Sequence, residues 1–131
     1  SLYQLAFHTY WTYNEPSKIK IQGLGREYLD NLSGLKKCSE DNFVSVYPAA
    51  LDRVYIAPSD KICFATDEYQ VQITNSGLNQ AVVWNPGSNH SLKDIKTPSF
   101  FCVESGAITP APTIAPLERQ TYTMTYLYQL T

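Results

Sequence analysis

Long apolar runs are missing from this sequence. No stretch of its 131 residues approaches the ~18–20 apolar residues of a membrane span, and no charged segment leading into an apolar one opens the chain. A soluble, cytoplasmic protein with no membrane partner is the expectation. Excess positive charge is missing too: ten Lys and Arg against twelve Asp and Glu give a net charge of −2. No basic stripe is available to follow a phosphate backbone, which argues against a nucleic-acid partner. Cysteine is sparse. Cys38, Cys63 and Cys102 are odd in number, far apart and outside any CxxC pair, so neither a disulfide framework nor a zinc cluster is expected, and a reducing compartment is. Also lacking is a sustained apolar stripe at helical spacing. One helical turn near Glu27–Leu32 is as much helix as the pattern allows.

What the chain does contain is period-two alternation, the mark of a half-buried strand whose successive side chains point to opposite faces. From Thr121 to Leu130, the residues Tyr122, Met124, Tyr126, Tyr128 and Leu130 share one face. Lys18–Gln22 and Tyr69–Thr74 alternate likewise, and the polar pair Asp67-Glu68 predicts a hairpin between Lys61–Ala65 and the second of them. Apolar runs at Phe43–Tyr47, Val54–Ile56, Ala81–Trp84 and Phe100–Val103 are too short for helices and read as strands buried on both faces. Pro-rich Thr109–Pro116 and the polar Asn85–Pro98 stretch read as connections, with His90 solvated in the latter. With 44% hydrophobic residues the chain can fill a core, and residues 1–131 are expected to form a single all-β domain of packed antiparallel sheets.

Four short segments carry the chemistry. Phe7-His8-Thr9-Tyr10-Trp11, Leu51-Asp52-Arg53-Val54-Tyr55, Val82-Val83-Trp84-Asn85-Pro86 and Phe101-Cys102-Val103-Glu104-Ser105-Gly106 place a His, an Asp and a Glu beside predicted strands. A His that titrates near neutrality and a carboxylate in apolar surroundings, whose basicity burial raises, form a serviceable acid and base. In this order the segments resemble the C-terminal half of the aldose 1-epimerase superfamily, nearest its hexose-6-phosphate mutarotase branch, also called glucose-6-phosphate 1-epimerases. The resemblance runs from about Ala6 to the C-terminus and implies an antiparallel β-sandwich, half of a galactose mutarotase-like supersandwich. It also implies an isomerase that interconverts the α and β anomers of a hexose or hexose phosphate with neither a metal nor an organic cofactor. By the same resemblance Glu104 is the base, His8 the acid and Asp52 a residue that holds sugar hydroxyls. His8 and Glu104 should then face one concavity with Asp52 on its rim.

The family's first half, which supplies phosphate-holding Arg residues, has no counterpart in these 131 residues, and neither Arg53 nor Arg119 occupies such a position. A half-sandwich leaves open edges and an apolar face, so a homo-oligomer or an N-terminal half as partner is expected. A catalytically idle carbohydrate-binding or interaction module built on the same fold is the alternative, and a piece of an ordinary, longer enzyme would carry the same motifs. Other features read as framework. Asp52-Arg53 fits a local ion pair, Gly23-Leu24-Gly25 a turn, and Cys102 a structural residue without a His partner in view. Leu117 stands in Pro116-Leu117-Glu118 where the resembled turn has Gly, predicting that the turn is rebuilt.

Overall fold

The computed structural model describes residues 1–15, 17, 19–40, 44–45, 49–87 and 99–131. Its strands are β1 (Leu5–Ala6), β2 (Tyr10–Thr12), β3 (Lys20–Gln22), β4 (Glu27–Asp30), β5 (Lys36–Ser39), β6 (Val44–Ser45), β7 (Leu51–Tyr55), β8 (Lys61–Ala65), β9 (Tyr69–Ser76), β10 (Gln80–Asn85), β11 (Phe100–Ala107) and β12 (Thr123–Leu130). They form two antiparallel sheets. Among the described residues one has seven strands in the order β1-β11-β10-β7-β4-β5, with β2 also paired to β11, and the other has five in the order β12-β9-β8-β3-β6.

Alternation decides which side chains meet between the sheets. In β9, Tyr69, Val71 and Ile73 turn inward while Gln70 stays in water, and the register carries Phe64 and Ile62 of β8 and Ile21 of β3 to the same inner face. Facing them from the larger sheet are Tyr55, Ala81, Val83, Phe101 and Val103. The layers are locked by edge-on rings: Phe64 lies 5.1 Å from Phe101 and 5.2 Å from Trp11, centroid to centroid. Phe101 is wholly buried, and burial of such a side chain contributes about 1.5–3 kcal/mol. The all-β sandwich expected from the sequence is the observed one.

The predicted hairpin is present, closed by the Thr66 hydroxyl, which accepts from the amides of Glu68 and Tyr69 at 3.1 Å each. The short apolar runs are strands, and β10 and β11 are covered on both faces as predicted; of the Phe43–Tyr47 run only Val44–Ser45 is described. Most of the Asn85–Pro98 connection, His90 included, lies outside the described residues.

Two expectations are corrected. Glu27–Asp30 is a strand, and the helical turn is confined to Asn31–Ser33, a 3-10 turn started by Asp30, whose carboxylate accepts from the Leu32 amide at 3.0 Å. Its partner β5, Lys36-Lys37-Cys38-Ser39, is too polar to read as a strand in isolation; such Lys-rich strands suit the exposed edge that β5 occupies. Leu117 keeps the turn instead of rebuilding it, adopting φ 64 with Glu118 N bonded to Ala115 O at 3.1 Å. Finally, β12 forms as predicted, but it is an edge strand whose inward-pointing set runs out past the core: Tyr128 and Leu130 are 52% and 70% exposed.

Candidate active site

The larger sheet turns one face to the core and the other outward, and parity along β11 assigns its residues. Phe101 and Val103 point inward, so Phe100, Cys102 and Glu104 point outward. The neighbouring strands follow. Val82 stands opposite Glu104, and Trp84 opposite Cys102 on one side and Asp52 on the other. The motif residues of β7, β10 and β11 therefore share one outer face.

His8 reaches the same face by the same alternation, two residues from outward-pointing Tyr10 along an edge that stays in register with β11. β1 and β2 flank a gap at residues 7–9, and both pair with β11 in one register: Ala6 opposes Gly106 and Tyr10 opposes Cys102, which carries His8 across from Glu104. Gly106 permits the approach, since a Cβ there would meet the Leu5 carbonyl oxygen at 2.9 Å. From the core side the Thr9 hydroxyl is hydrogen-bonded to that of Tyr126, which anchors the gap without restoring the ladder.

His8 Nε2 lies 3.1 Å from Glu104 Oε1, and His8 Nδ1 lies 3.7 Å from Cys102 Sγ. The imidazole is 48% exposed, whereas the Glu104 side chain is 5% exposed. Aromatic rings wall this face: His8 packs 4.8 Å from Tyr10, Tyr10 edge-on at 5.4 Å from Phe100, and Phe100 at 5.8 Å from Trp84. In that setting burial pushes the Glu104 carboxyl above its ordinary value; the His8 ring opposes the rise and the Asp52 charge adds to it. Asp52 sits two strands from Cys102 across Trp84, a span of ~9–10 Å at ordinary strand spacing. The Asn31 side-chain amide donates to Asp52 Oδ2 at 2.8 Å and orients it.

Thus the structure brings His8 and Glu104 into contact and holds Asp52 on the same face. Arg53 does not pair with Asp52. Adjacent strand residues point oppositely, so Arg53 turns to the core side, where its guanidinium bonds Glu40 at 2.8 Å and lies 4.2 Å above the Tyr28 ring. Cys102, for which no His partner was legible, has His8 against it. It is not thereby a nucleophile: burial and then the Glu104 charge push the thiol up to about 12, far from the thiolate range. Asn31 was also missed, because nothing in its local sequence marks a contact with β7. A hollow of about 410 Å³ lies elsewhere, on the outer face of the other sheet, lined by Gln22, Gln70, Gln72 and Cys63 among others.

The chain is 32% identical over 124 residues to a protein of Cenchrus ciliaris that carries the provisional name glucose-6-phosphate 1-epimerase, covering 88% of this chain and 38% of that one. A protein of Escherichia coli K12 with the same provisional name is 31% identical over 109 residues, 76% of this chain and 36% of its own. The crystal structure of a provisionally named mutarotase, YeaD, from Salmonella typhimurium superposes with a TM-score of 0.82 at 25% identity, covering all of this chain and 47% of that one. The chain thus spans less than half the length of each of these three proteins. The family profile described as aldose 1-epimerase matches residues 1–127, and the chain belongs to the aldose 1-epimerase family.

Proposed function

We propose that this chain carries the acid and base of a hexose mutarotase, with Glu104 as base, His8 as acid and Asp52 as the residue that holds sugar hydroxyls. The observation that carries the reading is the His8 Nε2 to Glu104 Oε1 contact of 3.1 Å on the outer face shared with Asp52. Mutarotation needs one group to take the proton from the C1 hydroxyl while another protonates the ring oxygen, each within hydrogen-bond reach. The ring opens, the C1–C2 bond turns, and the same two groups return their protons as it closes on the other face. A carboxylate raised by burial is a better base than a solvated one, and the exposed imidazole is the member of the pair free to follow the sugar. A sugar entering here parts the two groups and takes the place of their mutual contact. Asp52, steadied by Asn31 and separated by Trp84, lies where hydroxyls on the far side of the ring would fall.

The substrate in this reading is a hexose or hexose phosphate. The exposed Tyr128 and Leu130 at the end of β12's inner face are covered in the working protein by a second copy or by the rest of a longer chain, as the partial coverage of the relatives supports. The free thiols of Cys38, Cys63 and Cys102 support a reducing compartment such as the cytoplasm. Anomer exchange of fresh glucose and glucose 6-phosphate, followed by NMR with wild-type chain and Glu104→Gln, tests the proposal. Exchange above buffer that the variant loses is the expected result. Sugar binding without exchange would instead make the chain a carbohydrate-binding module.

A further inference from the structure

The contact between His8 and Cys102 has no part in anomer exchange, and it points to a second kind of ligand. We propose that His8 Nδ1 and Cys102 Sγ form a site for a thiophilic divalent cation of the zinc class, with Glu104 holding the far nitrogen of the ring. Three observations converge. The His8 nitrogen and the Cys102 sulfur are 3.7 Å apart. Ligands at ~2.3 Å (sulfur) and ~2.0–2.1 Å (nitrogen) from a tetrahedral centre stand about 3.6 Å apart, so the pair already has the required bite.

The second observation is the orientation of the ring. Nε2 faces Glu104 Oε1 at 3.1 Å, so with Nδ1 free to ligate, the other nitrogen carries the proton to a carboxylate. This is the outer-sphere arrangement that fixes the tautomer of metal-bound histidines. The third is grouping: ligand atoms of His8, Cys102 and Glu104 all lie within 4.8 Å of one another, with Cys102 and Glu104 buried and His8 exposed. Soft sulfur with imidazole selects zinc or cadmium over magnesium or calcium, which take oxygen. The His8 side chain is 48% exposed, so the ring can turn aside to admit the ion and close over it. The ion's charge displaces the Cys102 thiol proton to solvent on ligation, against the burial that otherwise keeps it on sulfur, and two protein ligands leave the remaining coordination positions to water. Where the mutarotase reading holds, a metal on His8 ties up the acid, and the ion acts as an inhibitor.

The test is a cadmium titration of the whole chain, followed by the thiolate-to-metal charge-transfer absorption in the ultraviolet, with zinc as competitor. Cys38 and Cys63 are also free, so the double variant Cys38→Ser/Cys63→Ser is the reference. One equivalent of cadmium should give the band in the reference, zinc should displace it, and Cys102→Ala should abolish it. His8→Gln, at a half-exposed position that leaves the core intact, should weaken binding, and Glu104→Gln should do so by ~10–100-fold, the usual cost of removing an outer-sphere partner. The site is refuted if the reference gives no band, if Cys102→Ala keeps it, or if His8→Gln binds as well as the reference. Because the readout is spectroscopic, it stands or falls apart from the anomer-exchange assay. Inhibition of exchange by zinc, lost in Cys102→Ala, tests only the consequence that rests on that activity.

Discussion

His8 Nε2 lies 3.1 Å from Glu104 Oε1, because β1 and β2 hold one register on β11 that sets the two residues directly opposite each other. Phe7 N bonds Ser105 O at 3.0 Å, so His8 falls at the adjacent non-hydrogen-bonded position, where cross-strand side chains stand closest. That position leaves a half-exposed ring above a buried carboxylate, an unequal pair of which only the ring reaches solvent.

On the proposed mechanism, Glu104→Gln keeps the shape and removes the base, and His8→Asn removes the acid. Each should lower kcat for anomer exchange by ~10²–10⁴, the range for a positioned proton-transfer group, with little change in Tm. Steady-state rates and thermal melts of the two variants check this together. Full activity of Glu104→Gln would end the mechanism and leave the fold untouched.

The raised Glu104 carboxyl predicts a pH dependence of stability with a definite sign. Burial lifts it above 4.5, so between the unfolded value and the folded one the native state binds more protons than the unfolded state. Stability therefore falls as pH rises through that window. Glu104→Gln should remove this component and be at least as stable as wild type at pH 7. Urea melts across acidic and neutral pH would show it, and a steeper loss in the variant would contradict the burial argument.

Asn31 is expected to act only through Asp52, which it steadies with a 2.8 Å hydrogen bond. Asn31→Ala should raise KM for the sugar by up to about tenfold, the scale of one ordinary net hydrogen bond, and leave kcat nearly unchanged. A fall in kcat alone would place Asn31 in the chemistry instead.

Gln80 closes the end of the site-bearing sheet. Its carbonyl accepts from the amides of Ile108 and Thr109 at 2.8 Å each, its amide donates to the Thr109 carbonyl, and the residue is 3% exposed. Gln80→Ala leaves those groups unpaired and should cost about 1–3 kcal/mol in chemical denaturation.

Period-two alternation was enough to find β9 and β12, and short apolar runs were enough for β7, β10 and β11, because burial of one or both faces writes itself locally along a strand. The β4–β5 hairpin escaped, since an edge strand rich in lysine earns its pairing from a neighbour and not from its own composition. Leu117 was misjudged for a related reason: a single positive φ is tolerated when the turn around it is hydrogen-bonded, and sequence shows the residue but not that support.

At the site, residue identity and order alone singled out His8, Asp52 and Glu104, since the motif pattern is a property of the chain. Which of their neighbours they would touch was decided by register. That Cys102 meets His8, that Asn31 reaches Asp52, and that Arg53 turns to Glu40 follow from strand pairing between distant segments and from the alternation of faces. Local sequence encodes which face a side chain takes along its own strand. Only the assembled sheet determines what stands opposite it, because cross-strand neighbours are brought together by hydrogen bonding between residues that are far apart in the chain.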